Sequence, residues 1–353
     1  MHNKMKKITK WLVLVIPVLF LVACSTNEAS EKQTIRVAHN QSSNHPTHTG
    51  MLEFERFIEE ELGDTYNVEL YPNELLGSQT NLVQLTQTGA IEMTVASNSI
   101  LETFNEDFQI FNLPYLFDSH EAYHSVMNDE QFTAPIFNAT AESGFITIAW
   151  FDAGSRNFYL QDTPVENPEE LAGKKVRVQQ SPTNVRIMEL LGSSATPMGF
   201  GDVYTAIQSG VIDGAENNEL ALTENGHGEV VNYYSYVEYQ RIPDEVIANI
   251  QFLESLPDDE RAIFEEGFQI MQDTQHEAWS NAVDEARDVI ENEQNVEFVY
   301  PDTELFKEKL LPLHDEMLEA NPNLRETYEE IQARIAEIEN NTESEGSAQD
   351  EYI

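Results

Sequence analysis

From Thr34 onward the chain alternates short runs of period-two hydrophobicity with stretches of helical period. Ile35 and Val37 alternate with Thr34 and Arg36 in a strand that ends on His39 and Asn40. A helix from about Thr47 follows, with Met51, Phe54, Ile58 and Leu62 on one stripe and Glu53, Glu59 and Glu60 outside it. Further strands are predicted at 67–72, 90–97, 145–150 and 155–159, and helices after Gln79 and near 121–127 and 131–143. Strand and helix at this spacing predict right-handed βαβ units and a parallel sheet. Asp152-Ala153-Gly154 reads as a crossing into a second unit, and the chain returns near 237–243 to add a strand at 245–252. From Pro257 to Asn292, Phe264, Phe268, Met271, Ala278, Ala282, Ala286 and Val289 fall close to one face with no proline inside. A helix of that length would reach about 50 Å, more than one small domain, and so predicts a brace across both units. A last strand at 296–300 and two helices at 304–319 and 323–339 complete the pattern, and 340–353 reads as a disordered acidic tail.

The expected architecture is therefore an α/β fold of two domains with a long helix bracing both. The first domain takes 34–153 and 243–282, and the second takes 154–242 and 283–339. Within the second, Val176 and Val178 alternate with Lys175 and Arg177. The valines face one side of a strand and Arg177 the other. The segments Pro197–Tyr204 and Asp213-Gly214-Ala215-Glu216-Asn217 follow, so a strand-borne cation, a loop aromatic and a strand-end amide share one αβ segment. Open α/β sheets bind ligands at such strand ends. Pattern alone leaves two readings of Arg177: an anion anchor, or a solvent-facing arginine satisfied by a surface carboxylate.

Charge sharpens that choice. With 19 basic and 63 acidic residues the formal charge is −44, a surface that repels nucleic acid and anionic head groups. It suits concentrated salt or alkaline surroundings, where about 1 M salt shortens the Debye length to about 3 Å. An anion could bind only in a local positive pocket, which directs attention to the few arginines.

The start of the chain reads as a targeting segment, 1–23. Lys4, Lys6, Lys7 and Lys10 precede the apolar run Trp11–Ala23, too short to cross about 30 Å of hydrocarbon. Leu21-Val22-Ala23-Cys24 resembles a lipobox, which implies lipidation of Cys24, the single cysteine, with 24–33 as a polar tether. No disulfide or thiol chemistry is then open to the rest of the chain.

Three ordered motifs carry a family resemblance: Gly173-Lys174-Lys175-Val176-Arg177-Val178, Pro197-Met198-Gly199-Phe200-Gly201-Asp202-Val203-Tyr204, and Asp213-Gly214-Ala215-Glu216-Asn217. Together they resemble the DctP-type extracytoplasmic solute-binding proteins of TRAP transporters, which implies a two-domain periplasmic-binding-protein-like (Venus flytrap) fold closing on a cleft. The resemblance implies that Arg177 holds the ligand carboxylate, that Arg156 assists it, that Asn217 bonds the ligand and that Phe200 packs against it. It also implies TRAP membrane subunits as partners. Two forked guanidiniums suit a planar carboxylate. The opposite lip would come from His39, Asn40, Ser97 and Asn98, with Gln79 further off. Ser97 stands where sialic-acid-type members carry an acid, so the expected ligands are sugar acids such as hexuronates, with Glu238 and Tyr239 on their hydroxyls, and next C4-dicarboxylates. A monomer is expected.

No nucleophile elbow, Walker loop or dinucleotide fingerprint appears, and no cofactor is implied. Composition leaves a surface-anchored hydrolase or lyase acting on acidic sugars as the alternative function. His39, His45 and His48 could converge on a metal, but capping and loop packing explain them more simply.

Overall fold

The computed structural model describes residues 32–350, with side chains through residue 338; the stretch read as a targeting segment and Cys24 lie outside the described residues. Among the described residues, eleven strands form two sheets. They are β1 (Gln33–Ala38), β2 (Tyr66–Tyr71), β3 (Met93–Ser97), β4 (Phe145–Phe151), β5 (Ser155–Leu160), β6 (Lys175–Val178), β7 (Ser194–Pro197), β8 (Gly214–Asn217), β9 (Tyr233–Arg241), β10 (Asp244–Asn249) and β11 (Glu297–Val299). The first sheet has the order β2-β1-β3-β10-β4 and the second β11-β9-β5-β8-β6-β7.

Neither sheet is purely parallel as predicted. β10 runs antiparallel to β3 and β4, and β5 antiparallel to β8 and β9. These are the two strands that enter a sheet directly from the other unit. They lack the helical crossover that would return them in the same direction. The stretch expected as a strand at 245–252 is β10 followed by a helix, Ile250–Ser255, capped by the Asn249 side chain on Phe252 N–H.

The helix Pro46–Leu62 lies so close on the long helix Asp258–Glu293 that a Cβ at Gly50 would sit 2.8 Å from the Met271 carbonyl oxygen. Phe54 stacks on Phe268 at 5.6 Å there. The 36 residues of the long helix reach about 54 Å. Its Phe264, Phe268 and Met271 join the core of the first unit, and its Ile290 packs with Val203 and Tyr234 in the second. The brace therefore spans both, as its period predicts.

The C-terminal helices depart from expectation. Phe306, Leu310 and Leu313 pack on Val176 and Val178 in the second unit, but Met317, Leu324, Ile331 and Ile335 pack on Phe108, Phe111 and Tyr123 of the first. An apolar stripe reveals that a helix face is covered, not by which unit. The final helix runs Leu324–Asp350, so most of the stretch read as a disordered tail continues it.

Candidate functional site

A narrow pocket lies between the two units, lined from the first by Asn40, Glu74, Gln79 and Asp244 and from the second by Arg156, Arg177, Phe200 and Asn217. β6 delivers Arg177. Its valine neighbours sink into the core beside Phe158 and Ile187, which turns the guanidinium the other way. Nε and Nη2 donate to the Met198 carbonyl oxygen at 3.2 and 2.9 Å, and the guanidinium carbon lies 5.5 Å from the centre of the Phe200 ring. The chain reversal at Pro197–Phe200 thus orients the cation from two sides. Arg177 is 3% exposed, yet it makes no carboxylate pair among the described residues. Burial pulls its pKa down, with Glu216 opposing that pull at longer range. A desolvated guanidinium without a counterion is costly.

Arg156 is differently placed. β5 pairs with β8 so that Phe158 faces Glu216, and Arg156 Nε donates to Glu216 Oε2. Its Nη2 donates to the Glu216 carbonyl oxygen at 3.1 Å and its Nη1 to Asn217 Oδ1 at 3.3 Å. Arg156 lines the pocket, but its charge is already balanced. Asn217 is held by it, and Asn218 N–H donates to the same Asn217 Oδ1 at 3.0 Å.

On the opposite lip, Gln79 donates to Asn40 Oδ1 at 3.0 Å, and both line the pocket. His39 lies behind them rather than in the wall. Gln41 N–H donates to His39 Nδ1, so Nε2 carries the proton and donates to His48 Nδ1 at 3.0 Å. Burial holds His39 near 3, and hence neutral. His45 accepts from Thr47 N–H as a helix cap, so the three histidines form a loop scaffold.

Four other expected residues fall outside the lining. Ser97 sits opposite Asp244 in the β3–β10 register. Asn98 bonds the Phe108 carbonyl and Asn112 within the core of the first unit. Tyr239 stacks on Phe158 at 5.2 Å and donates to Glu216 Oε2 at 2.7 Å, behind Arg156. Glu238, at φ +48°, is turned outward onto Ser155 and Arg241 where the β5–β9 register slips. Both were expected from the resemblance to sugar-acid-binding members; beside the β5–β9 irregularity neither reaches the pocket lining.

The sequence reading missed Asp244 and Glu74. Asp244 begins β10, just past the second crossing, and burial raises its carboxyl to about 6 although Arg156 holds it lower. Glu74, also raised by burial, accepts from Gly201 N–H of the opposite unit at 3.2 Å. Its φ of +54°, beside Asn73 at +57°, marks a tight lip turn. A carboxylate next to a predicted crossing was a usable signal for Asp244; Glu74 had none. Inside the lip, the units also meet where Ser181, Thr183 N–H and Thr183 Oγ1 converge on the buried Glu102 carboxylate.

The family model for DctP, the bacterial extracellular solute-binding protein of family 7, matches residues 37–321. A TRAP periplasmic solute-binding protein from Anaerococcus prevotii, crystallised with α/β-D-glucuronate, superposes with a TM-score of 0.85 at 58% identity, covering 87% of this chain and 99% of that one. One from Xanthobacter autotrophicus with bound β-D-galacturonate gives 0.81 at 28% identity, covering 85% and 99%. The C4-dicarboxylate-binding periplasmic protein of Rhodobacter capsulatus is 28% identical over 302 residues, 84% of this chain and 90% of that protein. These are binding proteins, so the hydrolase or lyase alternative gains no support.

Proposed function

Because the chain belongs to the bacterial extracellular solute-binding proteins of family 7, we propose that it captures a hexuronate between its two domains and delivers it to TRAP membrane subunits. The observation that carries this reading is Arg177, buried at the pocket wall with no carboxylate paired to it among the described residues. A ligand carboxylate supplies the missing counterion, and Phe200 covers the face of the pair. Asn217 and Arg156 bound the same side. Asn40, Gln79, Asp244 and Glu74 present amides and carboxylates across the cleft, which suit the hydroxyls of a sugar ring.

The same layout disfavours a C4-dicarboxylate. A second carboxylate would need a second uncommitted cation, and Arg156 is taken by Glu216. The solved relatives named above carry glucuronate or galacturonate. One charge-assisted hydrogen bond contributes about 1.5–3 kcal/mol, whereas micromolar binding needs about 8. Closure, which excludes water and brings both lips onto the ligand, supplies the remainder. Calorimetric titration with D-glucuronate, D-galacturonate, D-glucose and succinate tests this. Tight binding of a uronate with at least a hundredfold weaker binding of glucose is expected; preference for succinate or glucose overturns it.

Anchoring through a lipid on Cys24, facing outward, completes the proposal. No helix of the described residues is long and apolar enough to cross a membrane. Cys24→Ala should release the protein from membranes into the soluble fraction.

A further inference from the structure

Away from the pocket, the helix His120–Met127 places His120 and His124 one turn apart on one face. Their ring centres are 4.0 Å apart, and both Nε2 atoms lie 2.8 Å from the same oxygen, Asp152 Oδ2. Asp152 is 3% exposed. Its other oxygen accepts from Gly154 N–H at 2.8 Å, and its backbone is clamped by Gln275 of the long helix through N–H to Oε1 at 3.0 Å and Nε2 to O at 2.8 Å. A third imidazole, His276, has its ring centre 5.2 Å from that of His124, and its buried Nε2 has no partner among the described residues.

We propose that His120, His124 and Asp152 form a binding site for a divalent transition metal of the zinc kind. The three ligand atoms all lie within 4.8 Å of one another, a span that a tetrahedral ion with bonds of about 2.0–2.2 Å closes by small ring movements. Two imidazoles and one carboxylate, with no thiolate, match zinc, cobalt or nickel better than the hard oxygen-seeking cations. The supports expected around a metal ligand are present, since Gly154 N–H holds the Asp152 carboxylate and Gln275 holds its backbone before any ion arrives. His120 is half exposed, which leaves an entry path and an open coordination position for water or for His276. Asp152 opens the first crossing between the units, and its neighbour Ala153 lines the pocket. A bound ion would therefore tie the His120–Met127 helix to the hinge.

The test uses Co²⁺ as a spectroscopic probe and ZnCl₂ as competitor, on the ligand-free protein in a chelator-treated buffer. One equivalent of Co²⁺ should give the intense visible bands of a four-coordinate site, bleached by one equivalent of Zn²⁺. At a hundredfold excess over its Kd, Zn²⁺ should raise the melting temperature by ~5 °C. His120→Gln should weaken both effects at least tenfold and the double variant H120Q/H124Q should abolish them, while circular dichroism and uronate binding report that each variant is folded. Absence of the bands and the shift in the wild type overturns the site. So does an equal response in H120Q/H124Q, or a multi-equivalent response that Mg²⁺ reproduces, either of which assigns binding to the acidic surface.

Discussion

Arg156 and Glu216 form an ion pair whose side chains are 5% and 0% exposed, while Arg177, on β6 beside the Glu216 strand, lies buried without such a partner among the described residues. The two arginines that sequence groups together therefore have different work. One holds its strand neighbours in place, and the other waits for a ligand.

Arg177→Ala should weaken uronate binding by at least ~10²-fold, the loss of two charge-assisted bonds at about 1.5–3 kcal/mol each. Its effect on the ligand-free melting temperature should be small, because a buried unpaired charge leaves with it. Calorimetry giving near-native affinity would remove Arg177 from the site.

Arg156→Ala should act mainly on folding. It strands the Glu216 carboxylate in the core with only the Tyr239 hydroxyl for support, a loss of about 3–5 kcal/mol. The double variant R156M/E216L should recover much of that stability but not the binding. Urea denaturation of the three proteins measures this, and a single variant as stable as wild type contradicts the pairing.

Asp244 gives stability a pH dependence. Its folded value of about 6 lies above the ordinary 3.8, so its contribution is full below pH 3.8 and is lost as pH rises through 6. Asp244→Asn removes the loss. At pH 8 the variant should be more stable than wild type by ~2–3 kcal/mol, and at pH 3 the difference should vanish. Glu245 is raised in the same sense but is common to both proteins. A stability gap independent of pH would show that Asp244 ionises freely.

Glu74→Ala removes the acceptor that Gly201 N–H meets across the cleft. One such charge-assisted bond is worth about 1.5–3 kcal/mol, so uronate should dissociate at least ~10-fold faster. Stopped-flow displacement measures the rate; an unchanged rate would mean that the Glu74 lip does not hold the closed form.

What could be read from the residues alone was whatever is encoded locally. The period-two runs located β1, β4, β5 and β6, the long stripe located the bracing helix, and alternation turned Arg177 away from its valine neighbours. Asn40, Gln79, Arg156, Arg177, Phe200 and Asn217 were all named from sequence, and all line the pocket. Tyr239 and Glu238, expected from the family resemblance, lie outside the lining beside the register slip between β5 and β9, a feature of how those strands pair and not of local pattern.

The folded chain decided everything that depends on partners distant in sequence. Only there does Arg156 meet Glu216, sixty residues on, while Arg177 meets none. Only there do Asp152 and Asp244, one at each crossing, come beside an imidazole pair and an anion pocket. Local periodicity sets the direction of a side chain; which charge it then faces depends on how strands from separate segments are brought side by side, and that ordering is a property of the tertiary packing.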